Sequence, residues 1–431
     1  MRKYIVTIFI TILLCIISNN VSAVEYNSNE EVMTATAEII RDKMLNREES
    51  FKITTQYLKT ADDTIFDHNE YAKDIFFQAV SEELATTHAS GDYLWSVIKS
   101  YGIGGHIKSI TSQEDGSELW TILVHGTIEY HTTLGEENRL ESSIKVWVMN
   151  NIDQELDNDF EKIFKIYKYI TENVRYDYTF QNYSAYDSFF DNSSVCNGYV
   201  SLFYRMLKES GITDVRIITG TADNGITVDN HAWNLVKLDG KYYYCDPTWD
   251  EGDSDFWYFL RGAEVFEELH TKFSRYNFEN YSISNEDFSF LTNKVNEDWG
   301  LLSGFDISNG IITKDDMLNN NYFKDNLGLD IKISCKNGNI GTNSRIIIEK
   351  DGIKLNNYVV IIYGDINGDG EITALDALNL INGINKKIYF EDPYVIEASR
   401  IVSGEGENPT AIDALAIVKH LNKKYTINQY K

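Results

Sequence analysis

The sequence predicts an α+β protein of several domains, and three observations carry that expectation. Helical spacing dominates from Asp157 to Gly211, antiparallel strand patterns follow to Leu260, and a helix-forming phrase is duplicated near the C-terminus. Helices followed by strands favour segregated layers over alternating β–α units. At 431 residues the chain exceeds one ordinary core, so two or three domains are expected. A hydrophobic content of 43% is that of globular domains and excludes wholesale disorder. The net charge of −27 disfavours nucleic acid and anionic membrane surfaces, because 39 basic side chains cannot offset 66 acidic ones.

Arg2 and Lys3 precede an apolar run from Tyr4 to Ile17, and Val21-Ser22-Ala23 supplies small residues after it. A basic start, a short apolar core and a small-residue cleavage site describe a secretory signal peptide over 1–23. The run is too short to favour a membrane span, so a secreted, extracellular protein is expected, with no membrane contact after cleavage. Cys15 leaves with the leader, and Cys196, Cys245 and Cys335 remain. Three cysteines make no disulfide framework, and an odd number favours a free thiol.

Residues 24–152 are expected to form an N-terminal α+β module. Ala37–Met44 and Tyr71–Ala85 have helical spacing, whereas Gly104–Ser109 and Leu119–Thr132 alternate like strands. Glu136–Ile152 reads as a helix on Leu140, Ile144, Trp147 and Val148. The next domain, 153–300, opens with Phe160, Ile163, Phe164, Tyr167 and Ile170 at helical intervals behind the capping stretch Asp157-Asn158-Asp159. A second, amphipathic helix starts near Cys196, places Tyr199, Leu202, Phe203, Met206 and Leu207 on one face, and stops at Gly211. Strands are expected at Val215–Thr219, His231–Leu238, Lys241–Asp246 and Phe256–Leu260. Residues 301–363 read as a small β-rich spacer with strands at Leu329–Ser334, Ser344–Glu349 and Tyr358–Tyr363. In 364–426, Thr373-Ala374-Leu375-Asp376-Ala377-Leu378 recurs as Thr410-Ala411-Ile412-Asp413-Ala414-Leu415, and such paired units are expected to pack on each other.

The chemistry lies in the second domain. A cysteine in the first turn of a helix meets free backbone N–H groups and the positive end of the dipole, both of which favour thiolate. Residues 231, 233 and 235 share one strand face, as do Tyr242, Tyr244 and Asp246 on the next strand. Asp246 can therefore orient His231 while Cys245 points into the opposite layer. Taken singly, a helical cysteine or a strand histidine is more often a packed core residue. The ordered set Cys196, His231 and Asp246, framed by Trp233 and Pro247-Thr248-Trp249, reads instead as an activated sulfur nucleophile. No Cys/His pair shows metal-ligand spacing, so no cofactor is expected for catalysis.

These residues resemble the transglutaminase-like superfamily. The matching pieces are Val174-Arg175-Tyr176-Asp177, Val195-Cys196-Asn197-Gly198-Tyr199, Gly220, His231-Ala232-Trp233-Asn234 and Tyr244-Cys245-Asp246-Pro247-Thr248-Trp249. The resemblance implies a papain-like α+β core with Cys196 as nucleophile, His231 as general base then acid, and Asp246 as orienting carboxylate. Asn197 departs from the glutamine many relatives carry after the cysteine. An oxyanion donor is expected from the Cys196 backbone N–H, with Gln181 as a candidate for the second.

In Asp365–Asp376, oxygen ligands fall at loop positions one, three, five and twelve as Asp365, Asn367, Asp369 and Asp376. Glu371 offers its carbonyl, and Gly370 allows the turn. This loop is expected to bind structural calcium. Followed by a helix, it resembles the first half of a type I dockerin, which implies a cohesin partner on a scaffolding protein, notably in assemblies that degrade plant cell walls. The second half departs from that pattern, with Val402, Gly404 and Gly406 at ligand positions and Glu405 and Glu407 beside them. The sequence thus points to a secreted thiol acyltransferase or hydrolase acting on protein or peptide amides and tethered by a dockerin. The alternatives are a cysteine peptidase or amidase, or an inactive binding protein of the same fold.

Overall fold

In a computed structural model of the chain, the described residues are 10–12, 24–26, 28–60, 66–252, 255–273, 278–292, 295–298, 300–386, 391–404 and 406–430. The leader expected at 1–23 lies outside them apart from 10–12. No helix among them is long and apolar enough to cross a membrane. The chain is α+β and forms two compact units, Met1–Gly252 with Phe266–Ile283, and Asp253–Val265 with Ser284–Lys431.

The first unit opens with helices α1 (Asn29–Leu45) and α2 (His68–Ala79) against an antiparallel sheet. Strand β3 (Glu118–Tyr130) runs between β1 (Ser50–Lys59) and β2 (Ile98–Ser112). Ile122, Val124 and Ile128 point inward at alternate positions, as the sequence pattern requires. Strand β1 escaped the sequence reading because its inward face ends on a polar residue, Thr55, whose hydroxyl pairs with that of Thr36 at 2.9 Å. The segment with mixed signals is a helix, α3 (Leu134–Asn151), started by a capping box between Thr133 and Glu136. Helix α4 (Asp159–Asn173) begins the same way at Asn158 and Glu161.

Helix α5 (Cys196–Glu209) is the centre of the unit. The sequence suggested one buried face, but every residue from Gly198 to Leu207 is buried, Ser201 and Arg205 included. The polar side turns toward the N-terminal segment instead of solvent. Arg205 lies 3.1 Å from Glu137, which also meets Arg47 at 2.8 Å and accepts hydrogen bonds from Tyr93 and Thr132. Despite burial, the two guanidinium groups hold the Glu137 carboxyl below its ordinary range. A buried charge at Arg205 is tolerated only because this partner is present.

Four antiparallel strands cover another side of α5. Their order is β6 (Lys241–Cys245), β5 (Val228–Leu238), β4 (Val215–Asp223), β7 (His270–Lys272). The strand expected at Phe256–Leu260 is not formed. Those residues make turns, and Leu260 adopts a φ of +53°, which no extended strand accommodates. Gly220 pairs with His231 on one side and Lys272 on the other. A side-chain carbon there would lie 2.1 Å from the Thr271 carbonyl oxygen and 2.6 Å from the Trp233 ring.

In the second unit a five-stranded sheet runs in the order β8 (Asn296–Asp298), β9 (Leu301–Ser303), β12 (Ile353–Val360), β11 (Arg345–Lys350), β10 (Asp330–Ser334). The three expected strands are all present, the last beginning earlier than Tyr358. Helices α6 (Ala374–Ile384), α7 (Pro393–Ser399) and α8 (Ala411–Leu421) share a core of Ile366, Leu380, Ala398, Ile401, Ile417 and Ile427. The duplicated helices pack on each other, as their sequence repeat suggested.

Gly220→Val forces a branched side chain into that close approach and should cost about 1–3 kcal/mol, as overpacked cores do. Thermal unfolding would show a melting temperature lowered by several degrees, and an unchanged value would contradict the packing described.

Candidate functional site

Cys196 is the first residue of α5, and the segment before it is fixed by Asp177. The Asp177 carboxylate accepts backbone N–H bonds from Thr179, Gln181 and Asn182, at 2.7–2.9 Å, and the Thr179 hydroxyl at 2.6 Å. The Asn182 carbonyl in turn accepts Val195 N–H at 2.9 Å and the Ser194 hydroxyl at 3.1 Å. Residue 177 thus sets where the cysteine helix starts. Asn197 donates its amide to the carbonyls of Ser96 and Tyr183, both at 2.8 Å, and so ties the same end to the N-terminal segment. Gly198 lets the helix settle on Ser194 and Ser188, since a side-chain carbon would meet their hydroxyls at 1.9 and 2.6 Å.

His231 stands on β5 and Asp246 just past β6, and the register puts them on one face. Tyr244 pairs with Leu235 and Cys245 with Asn234, so Cys245 points to the opposite layer and is fully buried there. His231 Nε2 donates to Asp246 Oδ2 at 2.7 Å, and Cys196 lies near enough to the imidazole to favour its charged form. With Nε2 engaged, Nδ1 is the nitrogen left for sulfur. Of the three sequence-selected residues, His231 and Asp246 therefore meet, with Cys196 near the imidazole. Burial opposes a charge on His231, but Asp246 and then Cys196 outweigh it and raise its pKa to about 10. Burial likewise works against the Asp246 carboxylate, yet His231 and His270 hold it well below the usual range.

His270 was not expected. Its Nε2 lies 3.1 Å from the same Asp246 Oδ2, and its Nδ1 donates to the Phe266 carbonyl at 3.2 Å. Thr248 and Trp249 N–H groups reach Asp246 Oδ1 at 3.1 and 3.2 Å, so the Pro247-Thr248-Trp249 turn completes the carboxylate's shell. The Trp249 ring also stacks on His231 with centroids 5.4 Å apart. Sequence offered no spacing signal for His270, which arrives on a three-residue edge strand. His231, Asp246 and His270 form a group whose donor atoms converge within 4.8 Å, a spacing that could hold a metal. The 2.7 and 3.1 Å separations are those of N–H···O bonds, and neither Asp246 nor His270 has exposed side-chain surface.

Tyr176 was likewise overlooked, although it lies within a quoted motif. Burial and the nearby Cys196 push its pKa up to about 12, so its phenol remains a donor. Its ring contacts Tyr178 and Phe180, with centroids 5.1 and 6.4 Å away, and these two are 80% and 55% exposed. Gln181, the earlier candidate for an oxyanion donor, is exposed and turns its amide to the Thr179 carbonyl.

In the second unit, Asp365 and Asp376 are fully buried. Asp365 accepts N–H bonds from Gly368, Asp369, Gly370 and Thr342, Asn367 accepts that of Asp369, and Asp369 that of Glu371. Burial raises the Asp365 pKa to about 6, with the neighbouring Asp376 adding to the effect and backbone N–H groups opposing it. All the loop donors are oxygens, and two buried carboxylates close together suit a hard divalent cation. The second loop is closed differently. Asp413 takes the Ser403 hydroxyl at 2.6 Å and the N–H groups of Val402, Ser403 and Thr410, and these hold its pKa at about 2 against burial. Glu407 accepts Gly404 N–H, and Glu405 lies outside the described residues.

The chain carries two recognisable domains. Residues 148–247 match the transglutaminase-like superfamily, and residues 363–399 match the type I dockerin domain. The first match contains Cys196, His231 and Asp246 but ends before His270; the second contains the whole Asp365–Asp376 loop. Among curated proteins the chain is similar to the kyphoscoliosis peptidase of Mus musculus, 27% identical over 149 residues, and to that of Homo sapiens, 26% identical over the same length. These matches cover 28% of this chain and 22% of those proteins, so the chain spans about a fifth of the length of the curated relatives it matches. A solved Cytophaga hutchinsonii protein, provisionally described as a cysteine protease, is 18% identical over 35% of this chain and 65% of that one. The TM-score between the two is 0.23.

The His231 pKa has a testable sign. Its ordinary value is 6.5, so the pair's contribution to folding is complete below that pH and is lost as pH rises through about 10. Asp246, held low, contributes above the ordinary carboxylate range and loses that contribution in acid. Asp246→Asn should bring the His231 NMR titration down toward 6.5. The melting-temperature gap between wild type and variant should be widest near neutrality and narrow at both extremes.

Proposed function

We propose that the first unit is a thiol acyl-transfer enzyme acting on carboxamide or peptide carbonyls, and that the C-terminal helices dock it to a cohesin of an extracellular scaffold. The observation that supports the enzymatic reading is the 2.7 Å hydrogen bond from His231 Nε2 to Asp246 Oδ2, with Cys196 near enough to the imidazole to favour its charge. The dockerin match supports the cellulosome-type setting, and the basic-apolar-small pattern of 1–23 supports secretion.

In this reading the Cys196 sulfur attacks the carbonyl carbon while the α5 N-terminus, through the Cys196 N–H, stabilises the oxyanion. Tyr176, a donor near the sulfur, is the second candidate for that task. His231 passes its proton to the departing nitrogen as the C–N bond breaks, leaving a thioester on Cys196. An amine or water then attacks, gives a proton to His231, and releases the thiolate as the C–S bond breaks. The exposed Tyr178 and Phe180 rings suit a peptide with apolar residues near the target amide. A peptidase reading is favoured by the name of the curated relatives and differs in the acyl acceptor, which is then water.

Calcium is assigned a structural role in the loop Asp365–Asp376, with Asp365, Asn367, Asp369, Glu371 and Asp376 as ligands. Exposed Leu375, Leu378 and Ile381 on α6, and Ile412, Leu415 and Val418 on α8, give each helix an apolar stripe for the cohesin.

At about pH 6, His231→Ala should slow iodoacetamide alkylation of Cys196 roughly 100-fold, because an ordinary thiol is then scarcely ionised. A slow reaction in wild type that ignores His231 would favour the inactive binding protein. Incubation with a glutamine peptide, with and without a primary amine, separates the acceptors by mass: an amine adduct marks cross-linking, a one-dalton gain marks deamidation and backbone cleavage marks a peptidase. For the tail, excess chelator and Asp365→Ala should each lower its melting temperature, whereas Ser403→Ala should lower it by an amount independent of calcium. Melting that ignores chelator would remove calcium from the account.

A further inference from the structure

Asp246 Oδ2 is shared by two imidazoles, those of His231 and His270. His231 Nε2 lies 2.7 Å from that oxygen and His270 Nε2 3.1 Å. The His270 side chain has no exposed surface, and its plane is set by rings on several sides: Phe266 stacks at 3.8 Å, Trp249 lies at 4.5 Å and Trp233 meets it edge-on at 5.0 Å. Both its ring nitrogens face acceptor oxygens, a carboxylate and the Phe266 carbonyl. Both bonds exist together only when each nitrogen carries a hydrogen. A histidine packed for bulk alone would not need to meet both conditions.

We propose that His270 is a positioning residue for acyl transfer, a second imidazole that fixes the Asp246 carboxylate and through it the ring of His231. This inference rests on the reading of Cys196, His231 and Asp246 as the reacting set. The physical reason is rotational. Thr248 and Trp249 N–H groups pin Oδ1, but His231 alone would leave Oδ2 free to follow the ring as it rocks between sulfur and substrate. A second donor on Oδ2, itself immobilised by three aromatic rings, makes the carboxylate a fixed pivot. His231 Nδ1 then stays aimed at Cys196 while its proton is transferred. His270 touches neither substrate nor sulfur in this scheme and acts through Asp246.

The test uses the full-length protein and two variants. His270→Phe keeps the ring on Phe266 but removes both hydrogen bonds, and His270→Gln restores a donor near the Nε2 position. The readouts are iodoacetamide alkylation of Cys196 at about pH 6 and the acylation burst with 4-nitrophenyl acetate. The phenylalanine variant should lose roughly tenfold or more in both rates, with KM for the ester little changed, and the glutamine variant should recover most of the loss. Wild-type rates in a folded phenylalanine variant, or equal losses in both variants, would overturn the proposal. If the phenylalanine variant does not fold, nitrogen-resolved NMR of the wild type decides. Two slowly exchanging ring N–H protons on His270 support the pivot, and one or none overturns it. Failure of the underlying reading looks different, since wild-type Cys196 would then alkylate slowly and His231→Ala would change nothing.

Discussion

Burying a carboxylate without exposed surface costs several kcal/mol unless its oxygens are fully occupied by donors, and Asp246 is such a group. Its four hydrogen bonds come from three places in the chain: the turn at Thr248 and Trp249, β5 through His231, and β7 through His270. Much of the first unit follows from that need. The β4–β5 hairpin must deliver His231 at the strand position opposite Gly220, and Gly220 must lack a side chain so that β7 and Trp233 can close in. The chain leaves the unit at Gly252 and re-enters at Phe266, which brings His270 back to the edge beside β4. The site is a consequence of how the carboxylate is buried.

The position of Cys196, the proposed nucleophile, depends on a second burial problem. Helix α5 is enclosed along Gly198–Leu207, and a helix buried on all sides has no solvent face on which to discharge an arginine. Arg205 is answered by Glu137 from α3, and Lys208 and Tyr204 by Glu82. Arg216 on β4 is held by Asp92 at 2.6 Å in the same manner. Every one of these acidic partners lies in the N-terminal segment. That segment carries no candidate catalytic group, yet it supplies the charges that let the cysteine helix sit in the interior, and Asn197 fastens the Cys196 end to it through Ser96. In the proposed reaction its contribution is rigidity of the sulfur's position.

The candidate trio was legible because strand alternation is a strict period. Once Tyr244 and Asp246 are on one face and Cys245 on the other, residue type alone assigns the roles, and the register agrees. The helices were legible from caps and spacing at Asn158 and Thr133. Other features depended on tertiary partners and left no local trace. Strand β1 hides because Thr55 turns inward toward another threonine, the polar side of α5 looks solvent-facing until Glu137 is placed, and Leu260 ends an apparent strand through a positive φ. His270 is the clearest case. Nothing within Leu269–Lys272 distinguishes it, and its meaning comes wholly from an oxygen 24 residues away in sequence.

The duplicated C-terminal helices show why a repeat can shed its ligands and keep its shape. The aspartate at the end of each loop has two tasks. Asp376 closes a capping box with Thr373 at the start of α6, and Asp413 does the same with Thr410 at the start of α8, while each also gathers N–H groups from the loop before it. Those tasks belong to helix initiation and persist without any ion. The earlier positions differ. Asp365, Asn367 and Asp369 cap no helix, and burying Asp365 beside Asp376 is favourable only if something positive offsets it. In the second loop those positions carry no carboxylate, and the Ser403 hydroxyl donates to Asp413. A second loop without a cation would leave the Asp413 carboxylate answered by its own donors, so α8 can keep its place against α6 with hydrogen bonds alone.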